Sequence, residues 1–277
     1  MSQLALPVLA TLFIWWFSTG VILYLDGLPQ CTFKWTMLGA SAILGLALAG
    51  LAASGGDTSV AGAYCAFICA ILVWGWQEVA FLLGYVTGPR REECPAGSRG
   101  WRRARFAFQT VLHHELALVF LALAVLAVTS DAPNQTGWWT YVILWTMRQS
   151  AKLNVFLGVR NLNETFLPAH LKYLQTYFRR SGMNPLFPVS IAASTMLVIP
   201  LWQLATVPGA GEAQATSQSL LAALLTLAIL EHWFLVLPLP SEALWKWGLR
   251  SRAAAAALPA AAEPSRVVPL APQSAAD

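Results

Sequence analysis

The stretch VLHHELALVFLALAVLAV, Val111–Val128, decides how this chain must be read. From Leu116 onward thirteen residues pass without a polar side chain, yet His113, His114 and Glu115 stand in succession just before them. A soluble helix keeps one polar face, whereas a helix apolar all round needs lipid or other helices about it. Composition extends that reading to the whole chain. Hydrophobic residues make up 57% and charged residues 11%, less than half the share of about 25% usual in soluble domains. So few charges cannot cover a water-facing surface, and the thirteen tryptophans suit membrane interfaces. The expected fold is an all-α, polytopic transmembrane helix bundle.

A spanning helix needs about 20 mostly apolar residues. Seven segments qualify, at 4–25, 35–55, 60–87, 106–129, 138–159, 187–207 and 218–238. The first lacks a basic leading region and a small-residue cleavage site, so it reads as an uncleaved helix. Lys and Arg then set direction. Arg90, Arg91, Arg99, Arg102, Arg103 and Arg105 crowd the fourth span's entry, and Arg160, Lys172, Arg179 and Arg180 follow the fifth. Lys246, Arg250 and Arg252 follow the seventh, whereas the loops near Asp57, Asp131 and Glu212 have no basic residue. Seven spans put these groups on opposite sides, with the amino terminus periplasmic and the carboxyl terminus cytosolic. The expected location is a bacterial inner membrane, cytoplasmic or intracytoplasmic. The lipid bilayer is one partner, and no nucleic-acid partner is expected. Residues 1–240 form the membrane domain, and 241–277 read as a cytosolic, largely disordered tail rich in Ala and Pro.

In the loop after span 5, HLKYLQTYFRR places Leu171, Leu174 and Phe178 on one helical face, a pattern suited to a helix lying on an anionic membrane surface. Cys31, Cys65, Cys69 and Cys94 form no CxxC pair, and Cys65 and Cys69 read as small apolar residues one turn apart.

Ionisable residues at membrane depth point to function by default. Span 3 carries Gln77 and Glu78, span 4 Gln109, His113, His114 and Glu115, span 5 Arg148, Gln149, Lys152 and Asn154, and span 7 Glu231 and His232. At a rise of about 1.5 Å per residue they lie roughly 9–14 Å from their cytosolic ends, in one layer. Adjacent helical residues diverge by about 100°, so only part of His113, His114 and Glu115 can face that layer.

Three readings of the layer stand open. Glu78, Glu115 and Glu231 can pair with Arg148 and Lys152, leaving one negative charge over. Glu78, His114, Glu115, Glu231 and His232 offer imidazole and carboxylate ligands for iron, manganese or zinc, although Arg148 and Lys152 would oppose a cation. His113, His114 or His232 can serve as axial ligand to a haem or chlorophyll-type macrocycle. Beyond span 5, Asn161, Asn163, Glu164 and His170 form a further motif near the cytosolic surface, read as a helix exit, a cap or a docking surface.

The run WTMRQSAKLNVFLGVRNLNETFLPAHLKYLQTYF (Trp145–Phe178), with MNPLFPVS (Met183–Ser190) and HHELAL (His113–Leu118), resembles the photosynthetic complex assembly protein (PuhE) family of purple phototrophic bacteria. The resemblance runs to about Pro240. It implies a multi-pass inner-membrane factor for assembly of the reaction centre with its core antenna, or for bacteriochlorophyll supply. Reaction-centre or core-antenna subunits, or pigment-synthesis enzymes, are then the partners, and bacteriochlorophyll a candidate ligand. It brings no catalytic residues. A non-enzymatic assembly factor is the leading expectation. The rival is a metal-dependent oxidoreductase acting on a pigment or lipid-soluble substrate. A third reading is a helix-binding scaffold using Gly39, Gly45 and Ala49 of span 2.

Overall fold

A computed structural model describes residues 2–252. Seven long helices lie among them: α1 (Ser2–Asp26), α2 (Phe33–Ser54), α3 (Val60–Leu82), α4 (Gly100–Thr129), α5 (Thr136–Leu157), α6 (Leu186–Ala205) and α7 (Glu212–Phe234). The protein is an all-helical polytopic bundle. Six of the helices are long and apolar enough to cross a bilayer. The exception is α5, whose length of 22 residues suffices but whose last turns carry Arg148, Gln149, Lys152 and Asn154. It packs against α3, α4 and α7, so these groups have helices to face.

Two helices form the centre. The spans of α3 and α7 are each 61% buried, against 11–28% for the other spanning helices. On α3 the buried residues Ala63, Ala66, Phe67, Ala70, Val73, Trp74, Gln77 and Glu78 recur every three or four positions. That period makes one continuous stripe, and its alanines let neighbouring helices approach closely. The Ser59 side chain accepts the Gly62 N–H at 3.1 Å and caps the start of α3. Phe67 of α3 packs with Leu220 and Leu224 of α7, and Trp74 meets the Tyr141 ring of α5 edge-on. The Tyr141 hydroxyl donates to the Leu118 carbonyl of α4, so its burial leaves no polar atom stranded.

The basic segments gather at one end of the bundle, where Arg90 donates to the Tyr177 hydroxyl and Arg252 pairs with Asp26. Residues near Asp57, Asn134 and Gln214 meet at the other end.

At the basic end three helices stop before their neighbours do. Span 3 was expected to reach residue 87, but α3 ends at Leu82. Gly84 adopts φ +82°, and the Tyr85 N–H returns to the Ala80 carbonyl, a turn that closes a helix C-terminus. Likewise α5 ends at Leu157 and α7 at Phe234. By contrast α4 starts about 22 Å before Glu115, and α1 continues about 16 Å past Trp15. Irregular segments 83–99, 158–185 and 235–252 fill the space this leaves.

The surface helix expected after His170 is instead a 3₁₀ segment, Ala169–Tyr177, docked on protein. Leu171, Leu174 and Tyr177 are buried, and the two leucines pack with Phe81 and Leu82. Their spacing of three matches the three residues per turn of a 3₁₀ helix. The early end of α3 leaves an apolar patch that this face covers. The packing also continues past residue 240. Trp245 is buried and donates to the Trp16 carbonyl, while the Trp247 ring covers Gly20, where an added Cβ would lie 2.0 Å from it. Residues 253–277 of the tail expected over 241–277 lie outside the described residues.

Candidate functional site

The polar centre is organised by one helix. On α5, Arg148, Gln149 and Lys152 share a turn and reach two different neighbours. Arg148 meets Glu78 of α3 at 2.8 Å, and the Gln77 amide donates to the other oxygen of that carboxylate at 3.2 Å. Lys152 meets Glu115 of α4 at 2.7 Å, and Gln149 donates to its second oxygen at 2.6 Å. Each carboxylate is thus held by one cation and one amide, which answers the cost of burying charge.

The third carboxylate stands apart. Glu231 of α7 is exposed and accepts the Trp15 indole N–H of α1 at 2.6 Å. It lies near Arg148 and Glu78, so three carboxyl groups and two cations share the layer. Because α3, α5 and α7 end early, Glu78, Lys152 and Glu231 sit only about 4–8 Å from their helix ends, shallower than the sequence spacing implied.

The histidines take separate places. His114 is buried, its ring centroid 4.6 Å from that of Phe81, and its Nδ1 has no hydrogen-bond partner. His113, one residue earlier, is exposed on the outer surface of α4. His232 is buried with both ring nitrogens engaged, Nδ1 at 2.9 Å from the Ala228 carbonyl and Nε2 at 2.9 Å from the Ser150 hydroxyl. A carbonyl only accepts, so Nδ1 carries the proton and Nε2 accepts from Ser150. Asn154 belongs to a different junction. It donates to Ser150 and Ser190 and accepts from Asn184, tying α5 to the start of α6.

Among the described residues no three His, Cys, Asp or Glu side chains gather as a metal would require. Glu78 and Glu115 already hold Arg148 and Lys152, and His232 has no free nitrogen. The set Glu78, His114, Glu115, Glu231 and His232 therefore does not fit a metal in this arrangement. His114 is likewise wedged against Phe81, with no open face for a macrocycle.

The orientation of His114 is fixed by a contact that sequence reasoning missed. The 83–99 segment crosses α4 backbone to backbone. The His114 main-chain N–H donates to the Thr87 carbonyl at 2.9 Å, and the Arg90 N–H reaches the Gln109 carbonyl at 3.3 Å. Gly88 permits the crossing, since an added Cβ would lie 2.1 Å from the Gln109 oxygen. The Gly88–Pro89 pair, a turn mark in the sequence, was the one available signal.

The motif beyond α5 finishes helix ends. The Asn161 amide donates to the Phe234 and Leu237 carbonyls at 2.7 and 2.5 Å, closing α7. Asn163 holds φ +52° and turns the chain into the short 3₁₀ turn Glu164–Phe166, and Glu164 pairs with Arg180 at 3.3 Å on the surface. His170 Nε2 donates to the carbonyl of Leu82, the last residue of α3, at 2.9 Å. Terminal carbonyls have no partner within their helix, and Asn161 and His170 supply one to α7 and α3.

Burial holds the His170 imidazole below its ordinary range; its bond to the Leu82 carbonyl opposes that shift, and Arg252 and Arg91 add to it. Its folded pKa lies below the unfolded value near 6.5, so the stability it lends is present above about pH 6.5 and declines as pH falls. Acidification from pH 7.5 to 5.5 is expected to lower the Tm of the wild type more than that of His170→Gln. Equal shifts would show that His170 does not couple to protons.

The chain matches a family model described as "Protein of unknown function (DUF3623)" over residues 1–256. It belongs to this family. The match takes in all seven helices and the segment 241–252 that packs on α1, so the family extends past the apolar spans. One relative is 40% identical over 250 residues, covering 89% of this chain and 91% of its own length. It is a Rhodobacter capsulatus protein described as "Uncharacterized 30.4 kDa protein in puhA 5'region". No solved structure matches the chain.

Proposed function

We propose that this protein is a multi-pass inner-membrane factor that assists assembly of the photosynthetic reaction centre with its core antenna, or supplies bacteriochlorophyll to it. The observation that carries this reading is the relative from the puhA 5′ region. The resemblance of Trp145–Phe178 to the PuhE family points the same way. A non-enzymatic role is favoured over a metal-dependent oxidoreductase because Glu78 and Glu115 are each committed to a cation and an amide. The polar centre is the working part, with Glu231 supplying the carboxyl group that pairs with no cation side chain of the layer. The basic end faces the cytosol by the positive-inside rule.

Two surfaces suit the partners. On α2, Gly39 and Gly45 are exposed, and a Cβ at either would meet nothing within 4 Å, leaving room for a partner helix to approach closely. On α4, His113 shares the outer face with Leu116 and Phe120, which are 57% and 72% exposed, so its imidazole is open to a pigment in the bilayer.

The test is a deletion strain. Membranes lacking the protein are expected to lose near-infrared absorbance of the reaction centre and core antenna, with recovery on complementation. If the pigment branch operates, bacteriochlorophyll co-purifies with the wild type and is lost in His113→Leu. Unchanged complexes in the deletion strain would contradict the proposal.

A further inference from the structure

At the end remote from the polar centre, a cavity of about 310 Å³ opens between the start of α3, the α4–α5 turn and the first turns of α7. That volume is at the lower bound for pockets that hold small ligands, about 300–1,000 Å³. Its lining is largely hydroxyls, amides and one carboxylate, and several of them are fixed in place. Thr136 and Ser217 share a hydrogen bond of 2.8 Å across it, joining α5 to α7. The Asn134 amide donates to the Ser54 and Asp57 carbonyls, both at 3.1 Å, and holds the loop before α3.

Two acceptors stand out among the lining groups. The Gln218 side-chain oxygen is buried and has no hydrogen-bond partner. The Ser59 hydroxyl, and with it the Ser59 N–H that Asp57 accepts at 2.9 Å, hold the Asp57 carboxyl below the ordinary range and keep it charged. The Trp139 ring, half exposed, completes the lining. Charge agrees with this inventory: the loops 54–60, 129–136 and 205–213 contain Asp57, Asp131 and Glu212 and no lysine or arginine. An orphan buried acceptor, a charged carboxylate and an open aromatic face together call for a cationic donor.

We propose that this cavity binds a primary ammonium group, carried by a phospholipid headgroup or a soluble amine. Asp57 supplies the counter-charge, Gln218 accepts an N–H, and Trp139 offers its ring face. The starts of α3, α5 and α7 around the cavity add partial positive charge, which suits the phosphate that accompanies an ammonium in a zwitterionic headgroup.

The test uses the purified full-length chain in an amine-free detergent. Ethanolamine and phosphoethanolamine are expected to raise its Tm in a saturable way, with sodium chloride of equal ionic strength as the control. Asp57→Asn keeps an acceptor for the Ser59 N–H and removes the charge, and Gln218→Leu removes the orphan acceptor. Each should weaken the response by about tenfold or more, as for loss of a charge-assisted hydrogen bond. Nanodiscs of phosphatidylethanolamine compared with phosphatidylglycerol separate the sources. Stabilisation by that lipid but not by soluble amines assigns the site to a headgroup, and stabilisation by ethanolamine itself assigns a free amine. A response equal in wild type and both variants, or no response to either source, overturns the proposal.

Discussion

Replacing Arg148 by Leu is expected to destabilise the protein by about 3 kcal/mol, the lower part of the range for breaking a buried ion pair. The lower part applies because the Arg148 side chain is 45% accessible, whereas that of Glu78 is only 10% accessible. The cost arises mainly on α3. Without the guanidinium, Glu78 keeps only the Gln77 amide and the more distant Lys152. Converting both residues, as Glu78→Leu with Arg148→Leu, removes the stranded charge and should recover most of the loss. Thermal unfolding in detergent of the two single variants and the double variant checks this. If the double variant is as unstable as the sum of the singles, the pair is not a unit.

The second large effect is expected at Gly88. An added Cβ would lie 2.1 Å from the Gln109 oxygen and 2.5 Å from the Thr110 carbonyl carbon, both backbone atoms of α4. No rotamer change relieves a clash with helix backbone. Gly88→Ala should therefore reach or exceed the upper end of the roughly 1–3 kcal/mol typical of overpacking. It should also break the bond between the His114 N–H and Thr87, freeing the ring that packs on Phe81. Gly75→Ala is the control. A Cβ there meets nothing within 4 Å, and loss of a helical Gly is neutral or stabilising by up to about 1 kcal/mol. Hydrogen exchange at residues 109–114 measures the difference. Equal protection in Gly88→Ala and wild type would show that the crossing does not brace α4.

Much of the fold is legible in the sequence because lipid constrains it so strongly. Apolar runs of spanning length announce α1, α2, α3, α4, α6 and α7, and α5 is found through Trp138–Leu144 despite its charged end. The pairing of Arg148 and Lys152 with carboxylates is also legible, because residues four apart share a helix face. Other features are set by contacts that no local pattern encodes. Trp15 reaches Glu231 across 216 residues of sequence, and a tryptophan near a chain start reads as an interface anchor. Which of His113 and His114 faces inward depends on the 83–99 segment lying against α4. The 3₁₀ docking of Leu171, Leu174 and Tyr177 follows from the early end of α3, which itself turns on Gly84. The polar layer was thus visible as a set of depths, and its division into two closed ion pairs, one open carboxylate and several helix caps was not.

In the proposed role the polar centre, through the carboxyl group of Glu231, serves the assembly of photosynthetic complexes. Glu231→Gln tests this, because the amide keeps an acceptor for the Trp15 N–H while removing the carboxyl group. The measurement is the near-infrared absorbance of the reaction centre and core antenna in membranes of that strain, with the protein quantified in the same membranes. A fall to the level of the deletion strain, at wild-type protein abundance, is the predicted result. Wild-type absorbance at that abundance would contradict the account and leave the layer a structural knot.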